Sequence, residues 1–184
     1  MSNSEIIFIS GNEDKVREFE RLLGMQLDHQ KLVLPEIQAT DVCEVARVKA
    51  EEAYLQTGRP CFVDDSGLTI QAWGELPGAL ICWFLDNVGD EGIIKMLSPY
   101  QSRSAKVTTA IGYCDKDGSK VFEGTIKGTI ATEPRGNNGF GYDSIFIPEN
   151  HDKTFAQMTD EEKDANSMRA LAVSTMKATL QIGV

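Results

Sequence analysis

The fold is decided by the stretch IIFISGNEDKVREFERLLG, residues 6–24. It opens with a short apolar run over 6–9, which predicts a buried strand, and breaks into a tight loop at Ser10-Gly11-Asn12. Apolar side chains then recur at helical spacing, and Gly24 follows as a helix C-cap. The chain therefore begins as strand, loop and helix.

Strand and helix patterns continue to alternate along the first half of the chain. Residues 32–34 predict a second strand, and Cys61-Phe62-Val63 predicts a third that ends at two adjacent aspartates. Between these strands we expect a helix capped by Thr40 and ended by Gly58. Two more helices are expected, one on each side of Gly89.

The pattern changes to period two over 105–131, with a turn at 115–118. This predicts a long β-hairpin. A further strand is expected over 143–147, and Thr159 with Glu162 forms a capping box that opens a terminal helix. Strand–helix units combined with a long hairpin predict an α/β protein with a mixed sheet.

Composition excludes several classes of protein. A chain of 184 residues suits one domain. A net charge of −10 argues against coating a nucleic-acid polymer or an anionic membrane. The four cysteines form no CxxC pair, and the polar start is no signal peptide. We expect a cytoplasmic protein with reduced thiols that uses neither a membrane nor a polynucleotide as partner.

Ser10-Gly11-Asn12-Glu13-Asp14-Lys15 links the first strand to its helix. Backbone N–H groups and the helix dipole favour an anion at such a place, and Lys15 adds a positive charge. The segment lacks the spacing of a P-loop. A phosphate loop and a plain turn with an N-cap both fit.

Asp64 and Asp65 are adjacent carboxylates at the expected end of a strand. Two such anions suit a bound Mg²⁺, which takes one or two carboxylates together with substrate phosphates. Their repulsion could instead raise one pKa and produce a general base, and a solvated turn is the structural alternative. Glu36, after Pro35, is a further candidate ligand.

The second half of the chain carries a candidate base-binding loop, 136–143. Phe140 and Tyr142 stand among glycines beside Asp143, an arrangement that can stack on a nucleobase and accept from its N–H edge. A loop anchored by its aromatic side chains is the alternative. Near the C-terminus, Met168 falls on the apolar stripe of a continuous helix, or in the first turn of a new helix capped by Asn166 or Ser167.

Six segments, in this order, resemble the inosine/xanthosine triphosphate pyrophosphatase family of house-cleaning enzymes. They cover nearly the whole chain: Ser10-Gly11-Asn12 with Lys15 and Glu18, Leu34-Pro35-Glu36, Asp64-Asp65-Ser66-Gly67-Leu68, Leu76-Pro77-Gly78, Gly139-Phe140-Gly141-Tyr142-Asp143, and Thr154-Phe155-Ala156 through Glu161-Glu162-Lys163.

The resemblance implies an elongated, two-lobed single domain over 1–184 with the active site in the cleft between the lobes. It also implies a homodimer and dependence on Mg²⁺, with Mn²⁺ as a substitute. The implied reaction is hydrolysis of ITP, dITP and XTP to the nucleoside monophosphate and pyrophosphate.

Site roles follow from the resemblance by position. It implies that Asp65 activates water, beside Asp64 and Lys15, and that Glu36 and Asp65 hold the metal. It assigns the triphosphate to Ser10, Gly11, Asn12, Glu13, Asp14, Lys15, Lys49 and Ser66. It assigns the base to Phe140, Gly141, Tyr142, Asp143, Lys163, Met168 and Arg169, where the donors Lys163 and Arg169 would select a 6-oxo purine.

Three positions depart from the family pattern. Ser167-Met168-Arg169 replaces Ser-His-Arg, Asp143-Ser144 replaces Asp-Pro, and Lys163-Asp164 replaces Lys-Asn, which sets an anion beside a pocket cation. Hydrolysis with weakened or shifted purine selectivity is therefore expected. The alternatives are a nucleotide-binding protein with little turnover and a related enzyme that acts on a different nucleotide.

Overall fold

A seven-stranded mixed sheet flanked by helices organises the protein in a computed structural model that describes residues 6–181. In chain order the elements are β1 (Ile7–Ile9), α1 (Glu13–Leu23), β2 (His29–Gln30), α2 (Val42–Thr57), β3 (Cys61–Ile70), β4 (Pro77–Gly78), α3 (Ile81–Leu97), β5 (Ser104–Asp115), β6 (Gly118–Ile130), β7 (Phe146–Pro148), α4 (Asp160–Asn166) and α5 (Met168–Leu180). This confirms the expected α/β class. Between residues 6 and 181 no helix combines the length and the apolar character needed to cross a membrane.

The strand order is β2-β1-β3-β5-β6-β7, and β4 pairs with β3 outside this path. Strand β1 runs parallel to β2 and β3. The pairs β3–β4, β3–β5, β5–β6 and β6–β7 are antiparallel. Strands β5 and β6 pair from Ser104 with Thr129 to Asp115 with Gly118, which confirms the long hairpin.

Several predicted boundaries were wrong. Strand β3 does not end at Val63 but continues to Ile70, because all ten of its residues pair with β5. The second strand lies at His29–Gln30 rather than at 32–34, and the strand expected over 143–147 begins only at Phe146. Helix α2 is capped by Asp41, whose side chain accepts from the Cys43 N–H, rather than by Thr40.

The helix breaks follow the sequence closely. Gly89 divides α3 with φ 66° and ψ −178°, a conformation that is essentially restricted to glycine. The Thr159–Glu162 capping box opens α4 as expected. A new helix, α5, then begins at Met168, where the Ser167 hydroxyl accepts from the Ala170 N–H at 3.1 Å. The interpretation as a new helix was therefore correct.

Helices α1 and α5 pack on one face of the sheet and α2 packs on the other. Phe8, Phe19 and Phe62 pack together between α1 and the sheet, with ring centroids 4.6–5.5 Å apart. The absence of a side chain at Gly124 lets α5 approach β6 closely, since a Cβ there would lie 2.0 Å from the Met168 carbonyl oxygen. The start of α5 is thereby pressed against the sheet.

A buried ion pair network joins α1, β3 and α5. The Arg169 side chain is 1% exposed and donates from Nη1 to Glu18 at 2.6 Å and from Nη2 to Asp64 at 3.0 Å. Burial opposes ionisation of Glu18, but Arg169 and Lys163 hold its pKa below the ordinary value. Because a buried charge without a partner is costly, these elements must dock together.

Replacing Glu18 by Gln should lower the free energy of unfolding by about 3–5 kcal/mol, because Arg169 loses a buried counter-charge. Since folding lowers the pKa of Glu18 from 4.5, its stabilisation is complete well above that pH and is lost as the pH falls. The difference between wild type and Glu18→Gln, measured by urea unfolding, should therefore shrink between pH 7 and pH 3. The exposed control Glu91→Gln should have almost no effect, and a difference independent of pH would contradict the charged role of Glu18.

Candidate active site

One cleft collects most of the residues that the sequence analysis singled out. A cavity of about 520 Å³ is bounded by α3, the loop before β7 and the start of α5. The predicted residues that line it are Asn12, Lys15, Asp65, Ser66, Phe140, Gly141, Tyr142, Asp143, Lys163, Met168 and Arg169. A larger open concavity of about 800 Å³ lies over the outer strands and holds none of the predicted residues. We therefore place the candidate active site in the smaller cleft.

The other predicted residues do not line this cavity; they are Ser10, Gly11, Glu13, Asp14, Glu36, Lys49 and Asp64. Glu13 and Asp14 are exposed in the first turn of α1, where Asp14 pairs with Arg17 and Glu13 lies 3.8 Å from His29 Nε2. Asp64 and Lys49 instead contact residues that line the cleft. Asp64 pairs with Lys15 and Arg169, and Lys49 Nζ lies 3.8 Å from Asp65 Oδ2.

The loop after β1 positions Lys15. Asn12 caps α1 by accepting from the N–H groups of Asp14 at 2.9 Å and Lys15 at 3.2 Å, and Ser10 Oγ accepts from the Asn12 N–H at 3.2 Å. The loop is thereby held rigid by its own side chains. Lys15 Nζ lies 2.9 Å from Asp64 Oδ1 and lines the cleft. The positive charge needed for an anion comes from this ammonium group together with the end of the helix.

Asp64 and Asp65 lie within β3 rather than in a turn, so that their side chains point to opposite faces of the sheet. Asp64 pairs across the sheet with Ile111, in the core beneath α1 and α5, and Asp65 pairs with Ala110, in the core beneath α2. Burial alone would raise the pKa of Asp64, but Lys15 and Arg169 hold it below the ordinary value. Asp64 is therefore a charged anchor for two cations.

Asp65 has a contrasting environment. Its Oδ1 accepts from the Ser66 N–H at 2.9 Å, whereas its buried Oδ2 has no hydrogen-bond partner. Lys49 Nζ lies 3.8 Å from that oxygen and donates to Glu36 Oε2 at 2.7 Å. Burial, reinforced by the charges of Glu36 and Asp64 and opposed by those of Lys49 and Lys15, raises the pKa of Asp65 to about 6.

Glu36 and Asp65 fit a divalent cation that completes its coordination with substrate. In residues 6–181 no group of three or more His, Cys, Asp or Glu side chains is arranged to hold a metal by itself. Mg²⁺ needs only one or two protein carboxylates when phosphates supply further oxygens. The unpartnered Oδ2 of Asp65 is the kind of hard, negatively charged oxygen that such an ion binds.

The loop before β7 is folded around the carboxylate of Asp143. Asp143 Oδ2 accepts from the Phe140 N–H at 2.9 Å and from Lys163 Nζ at 2.7 Å. Gly139 has φ 77°, and a Cβ there would lie 2.0 Å from the same oxygen, so only glycine permits this closure. The Phe140 ring lies 5.0 Å from Lys163 Nζ. These contacts hold an aromatic ring at one end of the cleft.

Arg169 and Lys163, the expected donors toward a base, both line the cleft and are already hydrogen-bonded to acidic side chains. The guanidinium of Arg169 is occupied by Glu18, Asp64 and the Ser66 hydroxyl, the last at 3.3 Å. Lys163 donates to Asp143, although an ammonium group has two further N–H donors. Arg169 therefore shapes the pocket through its buried ion pairs, and Lys163 retains the capacity to bind a ligand.

The structure shows what two of the side chains that depart from the family pattern contact. Met168 is 3% exposed, packs in the core and also reaches the cleft. The Asp164 carboxylate, which was expected to lie beside the pocket cation Lys163, binds the Arg21 guanidinium at 3.0 and 3.1 Å and so joins α4 to α1.

Sequence reasoning missed two parts of the site. Glu18 appeared only as a member of a motif, although a carboxylate between the apolar Val16 and Phe19 signals a buried acid that needs a partner. The cleft wall formed by α3 was not foreseen. It includes Asp90, which accepts a hydrogen bond from the Ser144 hydroxyl.

Unsatisfied polar atoms concentrate in this cleft. Within residues 6–181, four buried side-chain atoms have no hydrogen-bond partner: Glu18 Oε1, Asp65 Oδ2, Asp90 Oδ1 and the Tyr142 hydroxyl. Asp65, Asp90 and Tyr142 all line the 520 Å³ cavity. Because buried polar groups are normally paired, their accumulation at one cavity indicates a place for a polar ligand.

Comparison with known proteins identifies relatives over almost the full chain. The Ham1 family model matches residues 6–179. The chain is 40% identical to a dITP/XTP pyrophosphatase of Methanopyrus kandleri, with 92% of each chain covered. It is 37% identical to the inosine triphosphate pyrophosphatase of Saccharomyces cerevisiae, with 98% of each chain covered.

Solved structures agree with this assignment. A Ham1 protein from Coxiella burnetii superposes with a TM-score of 0.82 at 32% identity, covering 96% of this chain and 98% of that one. The Staphylococcus aureus Ham1 protein gives the same TM-score and coverage at 30% identity. The fold, the cleft and these relatives together show that the chain belongs to the Ham1 family.

Proposed function

We propose that this protein is a nucleoside triphosphate pyrophosphatase that hydrolyses ITP, dITP and XTP to the monophosphate and pyrophosphate. Relatives named dITP/XTP pyrophosphatase and inosine triphosphate pyrophosphatase align with 92% and 98% of this chain. The observation that carries the proposal is Asp65, a buried carboxylate with an unpartnered oxygen and a raised pKa, beside Lys15, Lys49 and Glu36.

Asp65 suits a proton acceptor for the attacking water. A pKa of about 6 leaves the carboxylate ionised at neutral pH and more basic than an ordinary aspartate. Lys15, anchored by Asp64, supplies positive charge where the oxygens of the α-phosphate gain negative charge in the transition state. The Ser10–Asp14 loop, Lys49 and Ser66 complete the proposed triphosphate site.

Glu36 and Asp65 are the residues that would hold Mg²⁺, or Mn²⁺ in its place. A bound ion would neutralise phosphate charge and polarise the reacting phosphoryl group. Lys49 contacts both carboxylates and holds them near each other. This support for a metal site rests on the donor set and on the unpartnered oxygen of Asp65.

The opposite end of the cleft suits a purine base. Phe140 offers a ring for stacking, Lys163 offers a donor for a 6-oxo group, and Tyr142 carries a hydroxyl without a partner. Met168 supplies a thioether where the family pattern has an imidazole, and a thioether cannot donate a hydrogen bond. We therefore propose weakened selection of 6-oxo over 6-amino purines. A two-lobed homodimer located in the cytoplasm remains a prediction.

Replacing Asp65 by Asn should reduce the rate of pyrophosphate release from ITP by about 10²- to 10⁴-fold, because the general base is lost. Nucleotide binding, measured by calorimetry in the absence of a divalent metal, should survive, since the phosphate loop and base pocket are untouched. The exposed hairpin variant Asp117→Asn should keep full activity.

The same experiment distinguishes the enzyme from a binding protein. If wild type binds nucleotide but releases no pyrophosphate with Mg²⁺ from ITP, XTP, dITP, GTP, ATP or dUTP, the enzyme proposal is wrong. Activity retained by Asp65→Asn would instead contradict the role of this carboxylate.

Replacing Met168 by His should raise the preference for ITP over ATP by about 10- to 100-fold, the value of one added hydrogen bond of about 1–3 kcal/mol. The measurement is the ratio of kcat/KM values for the two nucleotides. Met168→Leu, which keeps an apolar side chain of similar volume, should leave the ratio unchanged. An unchanged ratio in a folded Met168→His protein would show that this position does not select the base.

A further inference from the structure

Cys82 lies on the wall of the candidate active site. It stands in the first turn of α3 and lines the same cavity as Lys15 and Asp65. It is the exposed one of the four cysteines, because Cys61 and Cys114 are buried and Cys43 is partly buried, with its thiol donating to Glu123. A reagent that enters the cleft therefore meets this thiol.

A second observation marks the cleft beside Cys82 as a place for a ligand. Asp65 is 9% exposed, and its Oδ2 has no hydrogen-bond partner. The thiol and the proposed catalytic carboxylate thus face one space, which a bound triphosphate would occupy.

Although the residue is exposed, the walls of the cleft partly shield the Cys82 thiol from water, which raises its pKa, and the carboxylate of Asp65 raises that pKa further. Most of the thiol is therefore protonated at neutral pH, and only the thiolate is nucleophilic. Reaction with a disulfide is then slow, on the scale of minutes to hours, and faster at higher pH.

We propose that Cys82 is a site of reversible mixed-disulfide formation with small disulfides such as glutathione disulfide, and that the attached group blocks the nucleotide cleft. The Cys82 thiolate attacks one sulfur of the small disulfide. A new S–S bond forms to Cys82, the original S–S bond breaks, and the departing thiolate takes up the proton that Cys82 lost. The small disulfide is the only co-reactant.

Size makes nucleotide and modification mutually exclusive. A cleft of about 520 Å³ is in the range that holds one ligand of ordinary size. A glutathionyl group on its wall takes up space that phosphates need, and bound nucleotide in turn shields the thiol. The inhibitory consequence rests on the proposed function, whereas the modification itself does not.

The test is incubation of the full chain with glutathione disulfide at pH 8, followed by intact mass and peptide mapping. Wild type should gain one glutathionyl group at Cys82, lose pyrophosphate release in proportion to the modified fraction, and regain it after reduction with dithiothreitol. Cys82→Ser should stay unmodified, and glutathione disulfide should not lower its own initial rate of pyrophosphate release, whereas Cys43→Ser should behave as wild type. The α,β-methylene analogue of ITP with Mg²⁺ should slow the labelling.

Modification confined to another cysteine, or full activity in protein modified at Cys82, would overturn the proposal. Labelling that the nucleotide analogue does not slow would also overturn it, because the thiol would then lie outside the occupied cleft. Failure of the proposed function appears separately, as absence of pyrophosphate release before any glutathione disulfide is added. In that case the mass measurement still tests the modification at Cys82.

Discussion

The contact of the buried Arg169 guanidinium with Glu18 and Asp64 is the constraint on which the rest of the structure depends. Lys15 extends it from Asp64, and Lys163 extends it from Glu18 to Asp143. Three cations and three anions therefore alternate through the interior and balance one another. Because each buried charge needs the others, α1, β3, the loop before β7, α4 and α5 take up one mutual arrangement. The cleft lies along the open edge of this network.

The alternation of side chains along β3 explains how two neighbouring aspartates acquire different properties. Asp64 faces the network and stays ionised among cations, whereas Asp65 faces α2, where Lys49 is its nearest counter-charge. One carboxylate is thereby fixed as a support, and the other keeps an oxygen for chemistry. Two adjacent residues of one strand thus differ in role: Asp64 stabilises the ion-pair network, and Asp65 is the proposed reactive carboxylate.

Features that depend on neighbouring residues could be predicted from the sequence, whereas contacts between residues far apart in the chain could not. Gly89, the Thr159–Glu162 box and the long hairpin follow from nearest-neighbour chemistry and were correctly predicted. The predicted third strand was too short because Asp-Asp-Ser-Gly has a low propensity for strands. In the folded protein, pairing with β5 overrides that propensity. The occupation of Arg169 by Glu18 joins residues 151 positions apart, a contact that no local pattern encodes.

That same separation has a consequence during synthesis. Glu18 leaves the ribosome 151 residues ahead of its partner. At a synthesis rate of about 5–20 residues per second, Arg169 emerges roughly 8–30 s after Glu18. Until then Glu18 lacks the buried guanidinium that pairs with it in the folded protein. The cleft is therefore completed only after α5, which carries Arg169, has emerged.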